Sequence, residues 1–417
     1  MTRWAATALP NGGEHGRADA FVGLAEARIL ASVFLVLGAP AYAQDTGEPP
    51  PFSAPGRLVD VGGWRLHLDC TGEPRPGQPI VILEAGIGDF SVEWSLVQPG
   101  VSRFARVCSY DRAGDGWSDL GPHPRTFRQI VYELHALLEG AGEQPSYVLV
   151  GHSYGGWLVR AYQATYPAEV SGIVLVEAGA DDPWRMMPDG KLVRSSELAR
   201  GRPIPRVNTT SPLRIRDIPP PALQQMRAGL ADASLHANEP PRDKLPMDAQ
   251  RMRTWALGQL GHVAAAVNPF ELEELALLRA HRDQQDLPLG DMPLVVITRG
   301  RSEGSGPDSK AFEAEHREDH ATLARMSRNG RLVIAERSGH HVQLDEPELV
   351  VTAIQQVVAA AAERRRPRRR RRPRGLFSPF TNNPTTDELS TCSRTAPSAP
   401  TPSSGFAGLD DPASGRA

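Results

Sequence analysis

The chain is 417 residues long, with 46 Lys+Arg against 49 Asp+Glu and a formal net charge of -3. Its 40% hydrophobic content is enough for a sizeable buried core, which excludes a globally disordered protein. Three cysteines (Cys70, Cys108 and Cys392) are too few for a disulfide scaffold and form no CxxC pair, so neither a zinc enzyme nor a dithiol redox protein is expected.

The near-neutral total hides an asymmetry: residues 363–417 hold 11 Arg against 5 acids, which leaves the rest of the chain distinctly acidic. At the N-terminus, Arg28 precedes the apolar run Ile29 to Leu37, and Ala41-Tyr42-Ala43 follows. A basic flank, a short apolar stretch and an A-x-A site describe a signal peptide over residues 1–43, with a buried hydrophobic helix as the competing reading. The protein is therefore expected to be exported, to the periplasm or the medium. Gln44 stands where a lipoprotein would need Cys. No other apolar run reaches the ~20 residues of a spanning helix, so no membrane span is expected.

After a linker at 44–56, short apolar runs alternate with helical or glycine-marked segments, the pattern of an α/β sheet. Strands are expected at 57–61, 64–70, 79–84, 105–110, 146–151 and 171–177, with Gly62-Gly63 turning the first pair into a hairpin. Phe127, Ile130, Val131, Leu134, Leu137 and Leu138 recur at helical spacing before Gly140. The alternation stops after 177. Residues 178–290 are rich in Pro, Arg and Leu, with helical patterns at 221–236 and 247–282, and read as a helical cap. Strands at 293–298 and 331–335 and a last helix at 346–362 then complete the core, whose two parts are 57–177 and 291–362. The tail at 363–417 opens with an arginine run and becomes rich in Pro, Ser and Thr. It is expected to be disordered, a solvated extension in preference to an anion-binding arm. It offers no aromatic platform for bases, so no nucleic-acid partner is expected.

The most specific signal is Gly151-His152-Ser153-Tyr154-Gly155, which follows the apolar Val148-Leu149-Val150 and leads into Gly156-Trp157-Leu158-Val159-Arg160. A nucleophilic serine on a sharp strand-to-helix turn needs glycines two residues to either side, because side chains there would collide with the neighbouring backbone. Ser153 is thus the candidate nucleophile. A hydroxyl needs a base, and Ser338-Gly339-His340-His341 follows the last strand. His340, directly after the glycine, is preferred to His341. His152 reads as structural.

In this order and context the chain resembles the α/β-hydrolase family over about residues 57–362. Leu83-Glu84-Ala85-Gly86-Ile87-Gly88, Ser109-Tyr110-Asp111-Arg112-Ala113-Gly114-Asp115-Gly116-Trp117-Ser118 and the closing Gly339-His340 with Glu346-Pro347 carry the resemblance beside the serine motif. It implies a mostly parallel eight-stranded sheet flanked by helices, with a cap after the sixth strand. It also implies an oxyanion hole from the backbone N–H groups of Ile87 and Tyr154. Many relatives carry His-Gly where this chain has Ala85-Gly86, a change that leaves backbone donors in place. The family's acid stands in one of two positions. Glu177 ends the sixth strand, and Glu303 follows the seventh in Gly300-Arg301-Ser302-Glu303, with Asp308 nearby. Glu177 is preferred, since a charge at the end of an apolar run is costly unless paired.

In the family's sheet the second and fourth strands are neighbours, so Cys70 and Cys108 form either a cross-strand disulfide or two buried thiols. Asp111 and Arg112 read as structural turn residues. The expected activity is a serine hydrolase acting on a small-molecule carboxylic ester or related acyl compound, with no metal or organic cofactor. A proline-iminopeptidase-like aminopeptidase is the rival enzyme, with Glu271, Glu273 and Glu274 as candidate amine ligands, and a non-catalytic binding protein on the same scaffold is the rival of another class. The sequence assigns no oligomeric state.

Overall fold

The computed structural model describes residues 52–187, 191–202, 234–265, 268–302 and 309–365. The expected leader, most of the helical pattern at 221–236, Glu303, Asp308, Cys392 and the chain beyond 365 lie outside the described residues.

Strands β1 (Arg57–Asp60), β2 (Arg65–Thr71), β3 (Ile80–Glu84), β4 (Val107–Tyr110), β5 (Tyr147–His152) and β6 (Val170–Val176) follow one another, then a two-stranded ribbon of β7 (Trp184–Met186) and β8 (Leu192–Arg194), then β9 (Leu294–Arg299) and β10 (Gly330–Ala335). All but the ribbon form one eight-stranded sheet in the order β1-β2-β4-β3-β5-β6-β9-β10. β2 pairs antiparallel with both β1 and β4, and the other pairings are parallel. The β1–β2 turn uses Gly62 and Gly63 at φ 119 and 106, values a side chain would resist.

The period of two along a strand divides the core. Ile82, Leu149 and Ile173 face a cluster with Leu134 and Leu137 of α2 (Phe127–Ala141) and Val159 of α3 (Gly155–Thr165). Val81, Leu83, Val148, Val150 and Val174 face the other, filled by Val101 of α1 (Gln98–Val101) and by Ile354, Val357 and Val358 of the C-terminal helix. A parallel sheet covered on both faces accounts for strands that are apolar throughout. Cys70 and Cys108 are register partners in β2 and β4, 4.0 Å apart at Cα, and are joined by a disulfide.

Among the described residues the other α-helices are α4 (Ser195–Leu198), α5 (Met247–Leu257), α6 (Leu260–Ala265), α7 (Glu271–Asp283), α8 (Ser309–Ala324), α9 (Val342–Asp345) and α10 (Pro347–Arg365). The structure refines or corrects several expectations. The helical patterning at 247–282 is realised as three helices, interrupted at Gly258 and ahead of Phe270, where Pro269 is ill suited to a helix interior. The insertion is not wholly helical, since β7 and β8 form an antiparallel pair in which Arg194 stacks over the Trp184 ring at 4.3 Å. The tail does not start at 363: α10 continues to Arg365, whose guanidinium donates to Ser146 Oγ at 2.6 Å, and arginines suit a helix C-terminus. The linker, too, is partly core: Phe52 and Ala54 pack against the cluster around Phe90 and Trp117.

Candidate active site

The serine turn is made by close backbone approach. A Cβ on Gly151 would lie 2.5 Å from Gly155 O, one on Gly155 2.6 Å from both Glu84 O and Ala85 O, and one on Gly156 2.3 Å from Ala178 Cβ. The chain can therefore turn from β5 into α3 only with glycine at these places. The turn leaves Ser153 at φ 50, in the left-handed region. Among the described residues the one other non-glycine with positive φ is Glu177, at φ 45, directly after β6. The two strained residues stand at the ends of neighbouring strands, and backbone bonds tie Ser153 to residues on either side of Glu177. Ser153 N–H donates to Val176 O at 3.1 Å, and Gly179 N–H donates to Ser153 O at 3.0 Å. Strained non-glycine backbone clusters at functional sites.

Glu177 is buried and fully engaged. Its Oε2 accepts from His340 Nδ1 at 3.3 Å and from Arg299 Nη1 at 2.8 Å. Its Oε1 accepts from the Arg299 backbone N–H at 2.6 Å and from His316 Nε2 at 3.1 Å. Burial alone would raise this carboxyl, but the hydrogen bonds from His316 and His340 and the nearby histidines hold it well below the usual carboxylate range. His340, in the loop between β10 and α9, is thus bound to Glu177 through Nδ1. His341 makes no such bond. Burial, with Arg242 and the neighbouring histidines, holds it well below its ordinary value.

His152 is buried within the turn. Its Nε2 donates to the His340 carbonyl at 3.0 Å, and its Nδ1 accepts from Gln343 Nε2 at 3.4 Å. Burial, and then His340, lower its pKa to about 3, so it stays neutral and ties the serine turn to the histidine loop.

The loop after β3 is gripped by Arg112. The guanidinium donates to Glu84 Oε1 at 2.7 Å and to the carbonyls of Ala85 at 2.9 Å, Gly86 at 2.5 Å and Asp89 at 3.0 Å. Ile87 packs against the cluster that holds Tyr154, Phe127 and Trp157. The residue following Gly86 thereby packs on the same cluster that contains the residue following Ser153. From the insertion, Arg253 reaches Asp89 at 2.8 Å and also pairs with Glu93, fastening α5 to the same loop.

The candidate amine ligands do not converge. Glu274 accepts from the N–H groups of Phe127 at 2.8 Å and Arg128 at 3.2 Å, covering the start of α2, while Glu271 pairs with Arg185 and Glu273 with Arg202. Asp111 accepts from Ser91 N–H at 2.9 Å and Trp117 N–H at 3.0 Å, as a turn residue should. Among the described residues two sets have metal-ligand spacing: Cys70, Cys108 and Glu143, whose cysteines are joined in the disulfide, and Glu177, His316 and His320, whose ligand atoms lie within 4.8 Å of one another. The second fits poorly, because the Arg299 cation already sits on that carboxylate, and His320 is engaged by Ala178 O and the Thr298 hydroxyl at 2.8 and 2.7 Å. A separate cavity of about 610 Å³, lined by Phe52, Met247, Thr254 and Trp255 among others, contains none of these residues. No helix among the described residues is long and apolar enough to cross a membrane.

Sequence reasoning missed Arg299 and His316. A signal for Arg299 existed: the apolar run of β6 is followed at once by a charge, Glu177, and the apolar run of β9 ends in one, Arg299. His316 had none, for it lies on a helix whose docking is not encoded locally.

Comparison with known proteins agrees with this architecture. The chain is 26% identical over 319 residues to an AB hydrolase superfamily protein of Gibberella zeae, covering 70% of this chain and 91% of that one. It is 34% identical over 136 residues to a protein of Hormonema carpetanum described as a probable transporter, where the match covers 31% of this chain and 20% of the other. Among solved structures, a thermophilic esterase from Thermogutta terrifontis shares the fold at a TM-score of 0.51 and 19% identity, over 73% of this chain and 98% of that one. The model of the alpha/beta hydrolase family matches residues 80–353, from β3 into α10, and takes in the serine turn, Glu177 and His340. The chain belongs to the alpha/beta hydrolase family.

Proposed function

We propose that the chain is a serine hydrolase that cleaves a carboxylic ester or related acyl bond through an acyl-enzyme, with Ser153 as nucleophile, His340 as base and Glu177 as acid. The observation that carries this reading is the pair of strained residues at adjacent strand ends, Ser153 at φ 50 and Glu177 at φ 45, with His340 bound to the second.

With Nδ1–H donated to Glu177, His340 keeps the lone pair of Nε2 for the serine proton. Ser153 Oγ attacks the carbonyl carbon as its proton passes to His340, whose positive charge the buried Glu177 carboxylate stabilises. The oxyanion is received by the N–H groups of Ile87 and Tyr154, and removing one such donor typically costs ~3 kcal/mol of transition-state stabilisation. Arg112 keeps Ile87 in place by fixing the carbonyls on either side of it, so the alanine in place of the family's frequent histidine does not unseat the donor. His340 then gives its proton to the leaving alcohol. Water attacks the acyl-enzyme, losing a proton to His340, which passes it to Ser153 Oγ as the acyl–Oγ bond breaks and the acid leaves. The engagement of Glu271, Glu273 and Glu274 by other partners favours an ester over a free amino-terminal substrate. Export into an oxidising compartment is part of the same proposal, supported by the leader-like sequence and by the Cys70–Cys108 bond.

The test is labelling by a fluorophosphonate probe, comparing the wild type with Ser153→Ala, together with turnover of a graded series of p-nitrophenyl esters and amino-acyl arylamides. Labelling and ester turnover should both vanish in the variant. Equal labelling of the two proteins would remove Ser153 from its role, and turnover of arylamides without esters would move the reading to a peptidase.

A further inference from the structure

Glutamate has one more rotatable bond than aspartate, so a glutamate serving a triad must be held or its carboxylate will sample positions that do not meet the histidine. Here the hold is visible. The carboxylate of Glu177 receives five hydrogen bonds from protein groups besides lying at the end of β6: the Arg299 backbone N–H, Arg299 Nη1, His316 Nε2, the Thr298 hydroxyl at 3.3 Å and His340 Nδ1. Arg299 is itself held from its other edge by Glu313 of α8, at 3.0 Å through Nη2 and 3.3 Å through Nε. His316 and Glu313 lie on the same helix, so α8 approaches the acid with one donor of its own and one carboxylate acting through Arg299.

We infer that Arg299 and His316 are positioning residues that clamp Glu177 with one side of its Oε2 turned to His340, and that the Arg299–Glu313 ion pair balances the charge against which His340 works. The inference rests on the reading of Glu177 as the triad acid.

Its physical content is a competition. Arg299 and His340 share Oε2. A guanidinium on the carboxylate withdraws part of the negative charge that would favour protonated His340, and Glu313 returns part of it by pairing with the guanidinium. The groups facing the Glu177–His340 pair among the described residues are Arg299 from β9, Glu313, His316 and His320 from α8, His152 from β5 with Asp89 beyond it, and His341 with Arg242 near it. His152, His320 and His341 are held neutral by burial; of the fixed charges, Asp89 and Arg242 pair with each other, while Arg299 touches the Glu177 carboxylate directly and Glu313 pairs with Arg299, so these last two are the charges to alter.

The experiment is the pH profile of kcat/KM on a p-nitrophenyl ester for Arg299→Gln, Arg299→Lys, Glu313→Gln, His316→Leu, His316→Gln and Glu177→Gln, with circular dichroism to establish folding. Arg299→Gln should lower kcat roughly tenfold or more with KM changed less than about twofold, and should move the acid limb to higher pH. Glu313→Gln should move the same limb to lower pH. Arg299→Lys should restore the limb and most of kcat. His316→Leu should lower kcat by several-fold, and His316→Gln, which keeps an N–H donor, should recover it. Folded Arg299→Gln and Glu313→Gln with unmoved limbs, or limbs moving in the same direction, would overturn the clamp. If Arg299→Gln does not fold, Glu313→Gln and the His316 pair decide alone. Glu177→Gln separates the two levels. Wild-type turnover in that variant sinks the triad assignment together with the clamp, whereas its inactivity beside neutral Arg299 and His316 variants sinks the clamp only.

Discussion

The ends of β5 and β6 do comparable work by different physics. Each holds a strained residue, Ser153 or Glu177, at the same edge of the sheet. The serine corner is held by contact: glycines at 151, 155 and 156 let backbone meet backbone at distances no Cβ allows. The glutamate corner is held by polarity, with an arginine, histidines and a threonine from β9, α8 and the loop after β10 around one carboxylate. A steric corner is all or nothing and indifferent to pH. A polar corner is graded, and it can be tuned by charge.

The largest expected effect is on chemistry at the polar corner. Glu177→Gln should lower kcat by roughly ten-thousandfold, the size seen when a triad acid loses its charge but keeps its shape. Steady-state turnover of the folded variant checks it, and a loss under tenfold would show that the two corners are not partners. Next comes the steric corner. Gly155→Ala drives a methyl to 2.6 Å from two carbonyl oxygens and should cost about 4 kcal/mol of stability, read by urea denaturation. Wild-type stability in this variant would mean that the turn relaxes and that contact does not define it.

Smaller effects come from the periphery. Opening the Cys70–Cys108 bond, which spans 38 residues, should cost about 3 kcal/mol and leave kcat within twofold, since the bond joins β2 to β4 away from both corners. Reduction followed by thermal unfolding and an ester assay would measure both. The effect that is smallest per group and per pH unit is acid sensitivity. Burial lowers His152 and His123 to about 3 and His320 to about 4. A histidine depressed in the folded state adds nothing to unfolding while pH stays above its ordinary value of about 6.5. Below that pH the unfolded chain binds the proton more readily, and stability falls by roughly 1 kcal/mol per pH unit for each such group until the folded value is reached. His67 has the opposite sign: its burial is outweighed by the Asp111 carboxylate, its pKa is raised, and its contribution is present in acid and lost as pH rises. With His341 also held well below its ordinary value, urea unfolding from pH 7 to 5 should show falling stability, less steep than these four depressed histidines alone would give. A flat profile would mean that these groups are not held neutral.

Much of this was legible before any coordinates. The strands fell within two residues of their expected limits because an apolar run bounded by glycine and proline is a local signal. The serine turn was legible because its constraint is steric and lies within six consecutive residues, 151–156. The arrangement of 178–290 was not: Gly258 and Pro269 divide the helical stretch at 247–282 into three helices, and a short ribbon at Trp184 stands in a segment read only as part of a helical cap. Neither follows from periodicity when the packing partner of each face is unknown.

The acid marks the boundary most clearly. From the sequence, Glu177 and Glu303 were both open, because a carboxylate declares itself through its partners and those lie far along the chain. Arg299 is 122 residues from Glu177, His316 is 139 and His340 is 163. The sequence by itself determined the sheet, the family and the serine turn, whose causes are short-range sterics and the alternation of apolar side chains. Only the tertiary structure decided which charges meet Glu177, because the energy of a buried charge depends on what the fold brings to it from other elements.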